Sequence, residues 1–304
     1  MKKKSFPFKA WLFVFYSVLL LYYCTPTQPS GVNSKEDIVM DHLKTDKLSE
    51  NLIIVRLGSD AISGVKTSNG IVVIDAGISA HLTQIYRGIL ESEFGQTHFC
   101  YLFNTHSHTD HIGGNQVFKD ALIVGHQNSL KEFQNADIER LASGPKVLNI
   151  INSYNEKLNN SDSASADWEE AFEQKLRYEF LQKDISAGYH LLPPTKVFTD
   201  SLKLKSGETE IELVYFGKAH SRSDILIYIN DPGVLFTGDL FSKYGRPSFY
   251  DSTTIDIAHW NKLREWIKVK STKTNFIIGG HGQRLDANDL AGFIELVESK
   301  VNIK

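Results

Sequence analysis

The sequence predicts an α+β fold in which two mixed sheets pack together with helices outside. Three observations carry this. Apolar, β-prone runs fill residues 50–75. Alternation of period two sets in after residue 196, at Val197 and Thr199, Leu202 and Leu204, and Ile211, Leu213 and Tyr215. Stretches with helical spacing lie between and after these runs. The order is strands, helices, strands, helices, with no internal repeat. The 304 residues, 41% of them apolar, allow one large domain or two small ones.

The chain opens on a targeting segment, residues 1–24. Lys2, Lys3 and Lys4 give it a positive start, and Trp11 to Tyr23 is almost unbrokenly apolar. Those 13 residues fall short of the roughly 20 that span a bilayer, but suit the core of an export signal. Leu21-Tyr22-Tyr23-Cys24 resembles a bacterial lipoprotein processing site, with tyrosines where small residues usually stand. The expectation is an exported protein, either periplasmic or attached to the membrane through Cys24. The alternative for Cys24 is a cysteine that merely ends the leader. Residues 25–45 begin with Pro26, Pro29, Ser30 and Gly31 and read as a flexible tether. Residues 46–304 read as the folded domain. Net charge is −3, and four lysines (Lys2, Lys3, Lys4, Lys9) belong to the leader, so the remainder is more acidic still. An acidic body without a basic stripe argues against nucleic-acid binding. Two cysteines, Cys24 and Cys100, make no disulfide framework. Composition says nothing about oligomeric state.

Residues 52–57 and 62–67 are β-prone runs. Asn69-Gly70 signals a hairpin turn, and residues 71–74 form a short buried strand ended by Asp75-Ala76-Gly77. Asp75 reads either as a carboxylate that orients a ligand histidine or as one that satisfies loop amides. Ser79 caps a helix whose face is Leu82, Ile85, Tyr86, Ile89 and Leu90. His81, at its start, shows no partner pattern and reads as a surface residue. Residues 98–103 and 121–124 are strands, and 126–141 are mostly helical. Residues 142–195 are the least patterned, and 130–195 read as a helical insertion. Within it, residues 159–167 are a polar loop. Trp168, Phe172, Leu176 and Phe180 recur every four residues and mark a helix over 167–182. Its aromatic stripe packs on the core or covers a cleft. After the alternating strands come strands at 225–229 and 234–237, a helix at 254–266 and a strand at 275–278. Asp286 caps a terminal helix whose face is Leu290, Phe293, Ile294 and Val297.

The chemistry concentrates in residues 104–114, Asn-Thr-His-Ser-His-Thr-Asp-His-Ile-Gly-Gly. His106, His108, Asp110 and His111 place four candidate ligands within six positions, straight after a buried strand. Chance histidines in a polar loop are the bland alternative, which that density disfavours. Gly113 and Gly114 allow backbone to approach backbone. Three later positions repeat the arrangement of strand, then small-residue loop, then ligand: His220, Asp239 in Thr237-Gly238-Asp239, and His281 in Gly279-Gly280-His281-Gly282. Ends of strands along one sheet edge converge even when far apart in sequence.

These motifs resemble the metallo-beta-lactamase-fold hydrolases. The match lies in His106-x-His108-x-Asp110-His111, Gly217-x-x-His220, Thr237-Gly238-Asp239 and Gly280-His281-Gly282, with the opening run Ser68 to Asp75. The resemblance implies a four-layer αβ/βα sandwich with a two-metal site. It implies that His106, His108 and His220 hold one ion, that Asp110, His111 and His281 hold a second, and that Asp239 bridges them. Histidine and carboxylate suit two zinc ions, with manganese or iron as alternatives. A hydroxide shared by the ions attacks the substrate, oriented by Asp110. Tyr244 and Tyr250, in the loop after Asp239, are weaker candidates for donating to an oxyanion, with packing as their alternative role. Arg222 reads as an ion-pair residue or an anion-binding one.

The fold serves many substrates, so the substrate is argued from departures. Common zinc beta-lactamases have cysteine where Asp239 stands and arginine or similar where His111 stands. The residues here look more like glyoxalase-II-type and lactonase-type sites. Only 23 residues follow His281, too few for the thiol-binding tail of glyoxalase II. The reading is a binuclear hydrolase of a small-molecule ester, thioester or lactone. The alternatives are a beta-lactamase and a non-catalytic exported binding lipoprotein. The last is disfavoured because no ligand position is lost.

Overall fold

The computed structural model describes residues 35–241 and 257–301. The leader, Cys24, Tyr244 and Tyr250 lie outside the described residues. Among the described residues, no helix is long and apolar enough to cross a membrane.

The described chain begins with α1 (Lys35–His42) and β1 (Lys44–Ser49). This corrects the expected tether of 25–45, whose second half is structured. Val39 is the reason, being fully buried in the main helical-side core. Next come β2 (Leu52–Leu57), β3 (Asp60–Thr67) and β4 (Gly70–Ile74). The β3–β4 hairpin pairs Thr67 with Gly70, so its two turn residues are Ser68 and Asn69, one position earlier than expected. Helix α2 (Ala80–Phe94) leads to β5 (Phe99–Phe103), the short α3 (Thr109–Ile112) and β6 (Leu122–His126). Three helices follow, α4 (Ser129–Ala142), α5 (Gly144–Asn159) and α6 (Ala166–Ser186), and then β7 (Lys196–Phe198).

These seven strands form one sheet in chain order, antiparallel from β1 to β4 and parallel from β4 to β7. The second sheet contains β8 (Ser201–Ser206), β9 (Thr209–Tyr215), β10 (Ile225–Ile229), β11 (Val234–Gly238), β12 (Phe276–Gly279) and β13 (Arg284–Leu285). Its order is β13-β12-β11-β10-β9-β8, with β11 and β12 parallel. Helices α7 (Ile257–Ser271) and α8 (Ala287–Val301) cover its outer face. Asp286 and Asp289 exchange backbone-to-side-chain hydrogen bonds of 2.8 Å, a capping box at the start of α8.

Strand period two sorts the core into layers. Leu52 and Ile54 face the other sheet, with Val72, Phe103, Leu213 and Ile227. Ile53, Val55 and Leu57 face the opposite way, onto Leu82, Tyr86, Leu176 and Phe180 of α2 and α6. Trp260, Leu263 and Ile267 of α7 pack on Leu226, Leu235 and Ile277. Helix, sheet, sheet, helix is the four-layer sandwich expected.

The helical segment is fastened by charge as well as by packing. Asp184 of α6 is fully buried. It accepts from the amides of Ala80 and His81 at 2.7 and 3.3 Å, from Arg140 of α4 at 2.9 Å, and contacts His81 Nδ1 at 2.5 Å. A carboxylate at the start of α2 also meets the positive end of the helix dipole. His81 is thus no free surface residue: it is held by Asp184 and stacked on Tyr189. Asp184→Ala should leave the buried Arg140 guanidinium uncompensated and destabilise the fold by about 3–5 kcal/mol. Urea unfolding of both proteins checks this; an unchanged midpoint would show that the network adds nothing.

Candidate metal centre

Topology brings the candidate ligands together. β4 and β5 are parallel and end at one edge of the first sheet, delivering Asp75 and residues 104–111 there. β11 and β12 are parallel and deliver Asp239 and His281 from the second sheet. β10 runs antiparallel to β11, so the loop before it, carrying His220, reaches the same edge. The amide of Ile225 donates to the Thr105 carbonyl at 2.9 Å and joins the two sheets at this point.

All seven predicted ligands meet. His106, His108 and His220 form one group whose ligand atoms lie within 4.8 Å of one another. Asp110, His111 and His281 form another, and His106, His111 and Asp239 a third between them. Asp239 Oδ2 lies 3.2 Å from His281 Nε2, 3.5 Å from His111 Nε2 and 3.6 Å from His220 Nε2. One carboxylate oxygen therefore faces members of both outer groups. The expected roles of Tyr244 and Tyr250 concern residues outside those described.

Two glycines make the packing possible. A Cβ on Gly113 would strike the carbonyl of Ile78, so this loop closes only through glycine. A Cβ on Gly280 would strike Asp239 Oδ1 and come within 3.0 Å of His111 Cε1.

The outer nitrogens are oriented from behind. His111 Nδ1 faces Asp75 Oδ2 at 2.9 Å, and His281 Nδ1 faces the Ser59 carbonyl at 2.6 Å. Asp75 also accepts from the Thr105 amide and hydroxyl, each at 2.8 Å. It thus performs both tasks weighed from the sequence. With Nδ1 engaged, each imidazole presents Nε2 inward.

Electrostatics suit cations. Burial, reinforced by neighbouring His111, holds His106 well below the usual histidine range, so its imidazole is neutral, the form in which histidine can bind a metal ion. Burial alone would lower His111 too, but Asp239, Asp75 and Asp110 outweigh it and hold it well above that range. The pocket around His111 therefore attracts positive charge. Burial would raise Asp239, yet His111, His281 and His106 overcome it and keep it ionised far below the usual carboxylate range. His106 Nε2, His111 Nε2 and Asp239 Oδ1 are buried without a hydrogen-bond partner. Buried polar atoms are rarely left so. Imidazole and carboxylate groups aimed inward with unsatisfied atoms fit divalent metal ions.

A cavity of about 800 Å³ opens onto Asp110, Asp239 and His281, walled by Lys44, Arg56, Glu170, Gln174, Arg177 and Tyr178 among others. A second, of about 710 Å³, touches His108 and Asp110 from the α4–α5 side. The aromatic stripe of α6 has Leu176 and Phe180 in the core, while the neighbouring face of the helix walls the larger cavity. Arg222 is exposed, and its backbone amide donates to Glu132 at 3.3 Å.

Two residues escaped the sequence reading. Arg177 of α6 reaches Asp110 Oδ2 at 3.2 Å, and Glu132 of α4 accepts from Ser107 at 2.5 Å and Ser223 at 2.6 Å. No local signal marks the first: Glu173, Arg177 and Asp184 put charges on a face of α6 that only the tertiary structure buries.

Residues 64–281, well over half of the chain, match the family model of the metallo-beta-lactamase superfamily. Two similar proteins bear the name metallo-beta-lactamase type 2. One, from Bacteroides fragilis, is 24% identical over 33% of this chain and 40% of its own. The other, from Bacillus cereus, is 20% identical over 77% of this chain and 71% of its own. A solved metallo-beta-lactamase from Pontibacter korlensis shares the fold, with a TM-score of 0.53, 15% identity, and coverage of 84% of this chain and 99% of that one. The chain belongs to the metallo-beta-lactamase superfamily and is, at the level of that superfamily, a metal-dependent hydrolase.

Proposed function

We propose that the protein is a binuclear zinc hydrolase acting on an ester, thioester or lactone. The observation that carries the proposal is the meeting of three overlapping ligand groups around buried, unpartnered imidazole nitrogens. In this reading His106, His108 and His220 hold one ion, Asp110, His111 and His281 the other, and Asp239 serves both. Two bound divalent ions would lower the pKa of water toward neutrality and polarise a carbonyl oxygen.

The chain's own residues then do the following. Asp110 Oδ2 is engaged by Arg177, which leaves Oδ1, 3.9 Å from His111 Nε2, as the oxygen that would hold the second ion and orient the water on it. Burial would raise the Asp110 carboxyl, but His111 and Arg177 outweigh it and hold it below the usual range. It is therefore ionised, as a carboxylate ligand must be. Asp75 and the Ser59 carbonyl keep His111 and His281 from turning. The cavity of about 800 Å³ accommodates a small molecule beside Asp110 and Asp239.

The substrate class rests on His111 and Asp239, which look more like glyoxalase-II-type and lactonase-type residues than those of common zinc beta-lactamases. Lactam hydrolysis is the second reading, supported by the names of the relatives from Bacteroides fragilis and Bacillus cereus. A hydrolysis panel on zinc-loaded protein, with a lactone, a thioester, an ester and a chromogenic cephalosporin, separates them. Fast turnover of the cephalosporin alone would reverse the order. We also propose export, with Cys24 as a lipid anchor. Palmitate labelling in a bacterial host should mark the protein, and unlabelled soluble protein would remove the anchor.

Dialysed protein should contain close to two metal ions per chain by elemental analysis. A value near zero that zinc and manganese fail to raise would sink the enzyme reading. Asp239→Ala should lower that content toward one and reduce turnover by several orders of magnitude, because a shared carboxylate offsets the repulsion between two cations. Asp239→Cys, with a single sulfur, should keep one ion and lose most native activity. Full occupancy and an unchanged rate in Asp239→Ala would make Asp239 a loop carboxylate only.

A further inference from the structure

We infer that the helical segment 129–186 positions the metal centre through two charged side chains, Glu132 and Arg177, each governing a different ion position. The inference rests on the binuclear reading above.

Glu132 lies in the first turn of α4. Its Oε2 accepts from the hydroxyls of Ser107 and Ser223, and its Oε1 from the amide of Arg222. Ser107 stands between His106 and His108, and Ser223 stands three residues after His220. The two hydroxyls are 3.0 Å apart. Ser223 is itself fixed, because its amide donates to Ser221 Oγ and Ser221 donates twice to Asp224. One carboxylate thus sets the spacing between the loop carrying His106 and His108 and the loop carrying His220. Those three imidazoles are the first ligand group.

Arg177 is buried in the second half of α6. Its Nη2 holds Asp110 Oδ2, its Nη1 donates to Ser59 Oγ at 2.8 Å, and its Nε lies 3.8 Å from Asp60 Oδ1. Ser59 is the residue whose carbonyl holds His281 Nδ1. Asp60 is anchored in turn by the Ile78 amide at 2.9 Å and the Tyr86 hydroxyl at 3.0 Å. One guanidinium therefore grips Asp110 directly and His281 through the turn at Ser59. Both belong to the second ligand group. Arginine suits this place because its planar fork serves several acceptors in fixed directions, which a lysine ammonium on a flexible stem does not.

The two side chains act on separate loops, so their effects should separate. Residues that orient ligands from behind typically change metal affinity about 10- to 100-fold. The test is a set of double-mutant cycles on zinc affinity, read by titration against a competing chelator. Arg177→Met should weaken the second ion by that factor in wild type and in His220→Ala, but change nothing in His281→Ala, where that position is already lost. Glu132→Ala should show the reverse pattern, silent in His220→Ala and costly in His281→Ala. Arg177→Lys should recover only part of the loss.

Arg177→Met leaves Asp60 and Asp110 without their buried cation, so the fold itself is a concern. The double variant Arg177→Met with Asp60→Asn removes that imbalance while keeping an acceptor for the Ile78 amide, and it should show the same loss of the second ion. Circular dichroism confirms the fold of each variant. Equal losses in both ligand backgrounds, or no loss in folded variants of a wild type that takes two ions, would overturn the inference and reduce the segment to packing. A wild type that takes fewer than two ions would instead remove the binuclear reading beneath it.

Discussion

The carboxylate of Asp75 holds the site together. It sits at the end of β4 with φ of 58°, a left-handed conformation uncommon for a residue other than glycine. Its two oxygens take the amide and hydroxyl of Thr105 and the Nδ1 of His111. Thr105 in turn offers its carbonyl to Ile225 at the start of β10. A single buried anion therefore links the ends of two parallel strands, the ligand helix α3 and the second sheet. Without it the edge would carry an unpaired Thr105 amide, at a cost of about 1–3 kcal/mol, and a His111 imidazole free to turn.

The site opposes the rest of the fold in what it demands. The layers gain stability by burying alternating apolar side chains on both faces of each strand. The edge instead buries imidazole nitrogens and a carboxylate oxygen with no partner in the protein. That arrangement costs stability until cations complete it, and bound cations would return the cost as folding free energy. The hydrogen bonds behind the ligands are the scaffold that keeps this edge open in the meantime.

How legible this was in the sequence depends on the range of each interaction. The ligand cluster at 106–111, the small residues beside His220 and His281, and the alternation after 196 are local patterns, and each corresponds to an element or site residue in the structure. The close approach at Gly113 was readable too, because glycine is the residue that permits it. Most of the misses are long-range. Helix α5 is the exception, since its buried residues Val147 and Ile151, which dock it against α6, stand at helical spacing. The structured segment from Lys35 to His42 is not legible in the sequence because Val39, its buried anchor, stands in a polar segment and gives no period. His81 reads as a surface residue because its partner Asp184 is 103 positions away. Glu132 and Arg177 look like ordinary charges on amphipathic helices until tertiary structure turns them inward.

That division also locates what distinguishes one substrate from another. The candidate ligands come from loops and the short helix α3 at the sheet edge. The walls of the larger cavity come mainly from α6, with Lys44 and Arg56 from β1 and β2, and those of the second from α4, α5 and the loop around His108. Asp110 touches both cavities, and it faces His111 on one oxygen and Arg177 on the other. Changes on the cavity faces of α4 to α6 can therefore alter what fits beside the centre while leaving its ligands in place. The exceptions are the positions that reach back to the loops. At Arg177 the wall of the larger cavity becomes part of the scaffold of the centre, so a substitution there changes the pocket and the hold on Asp110 together, whereas Glu132, which lines neither cavity, serves the scaffold alone.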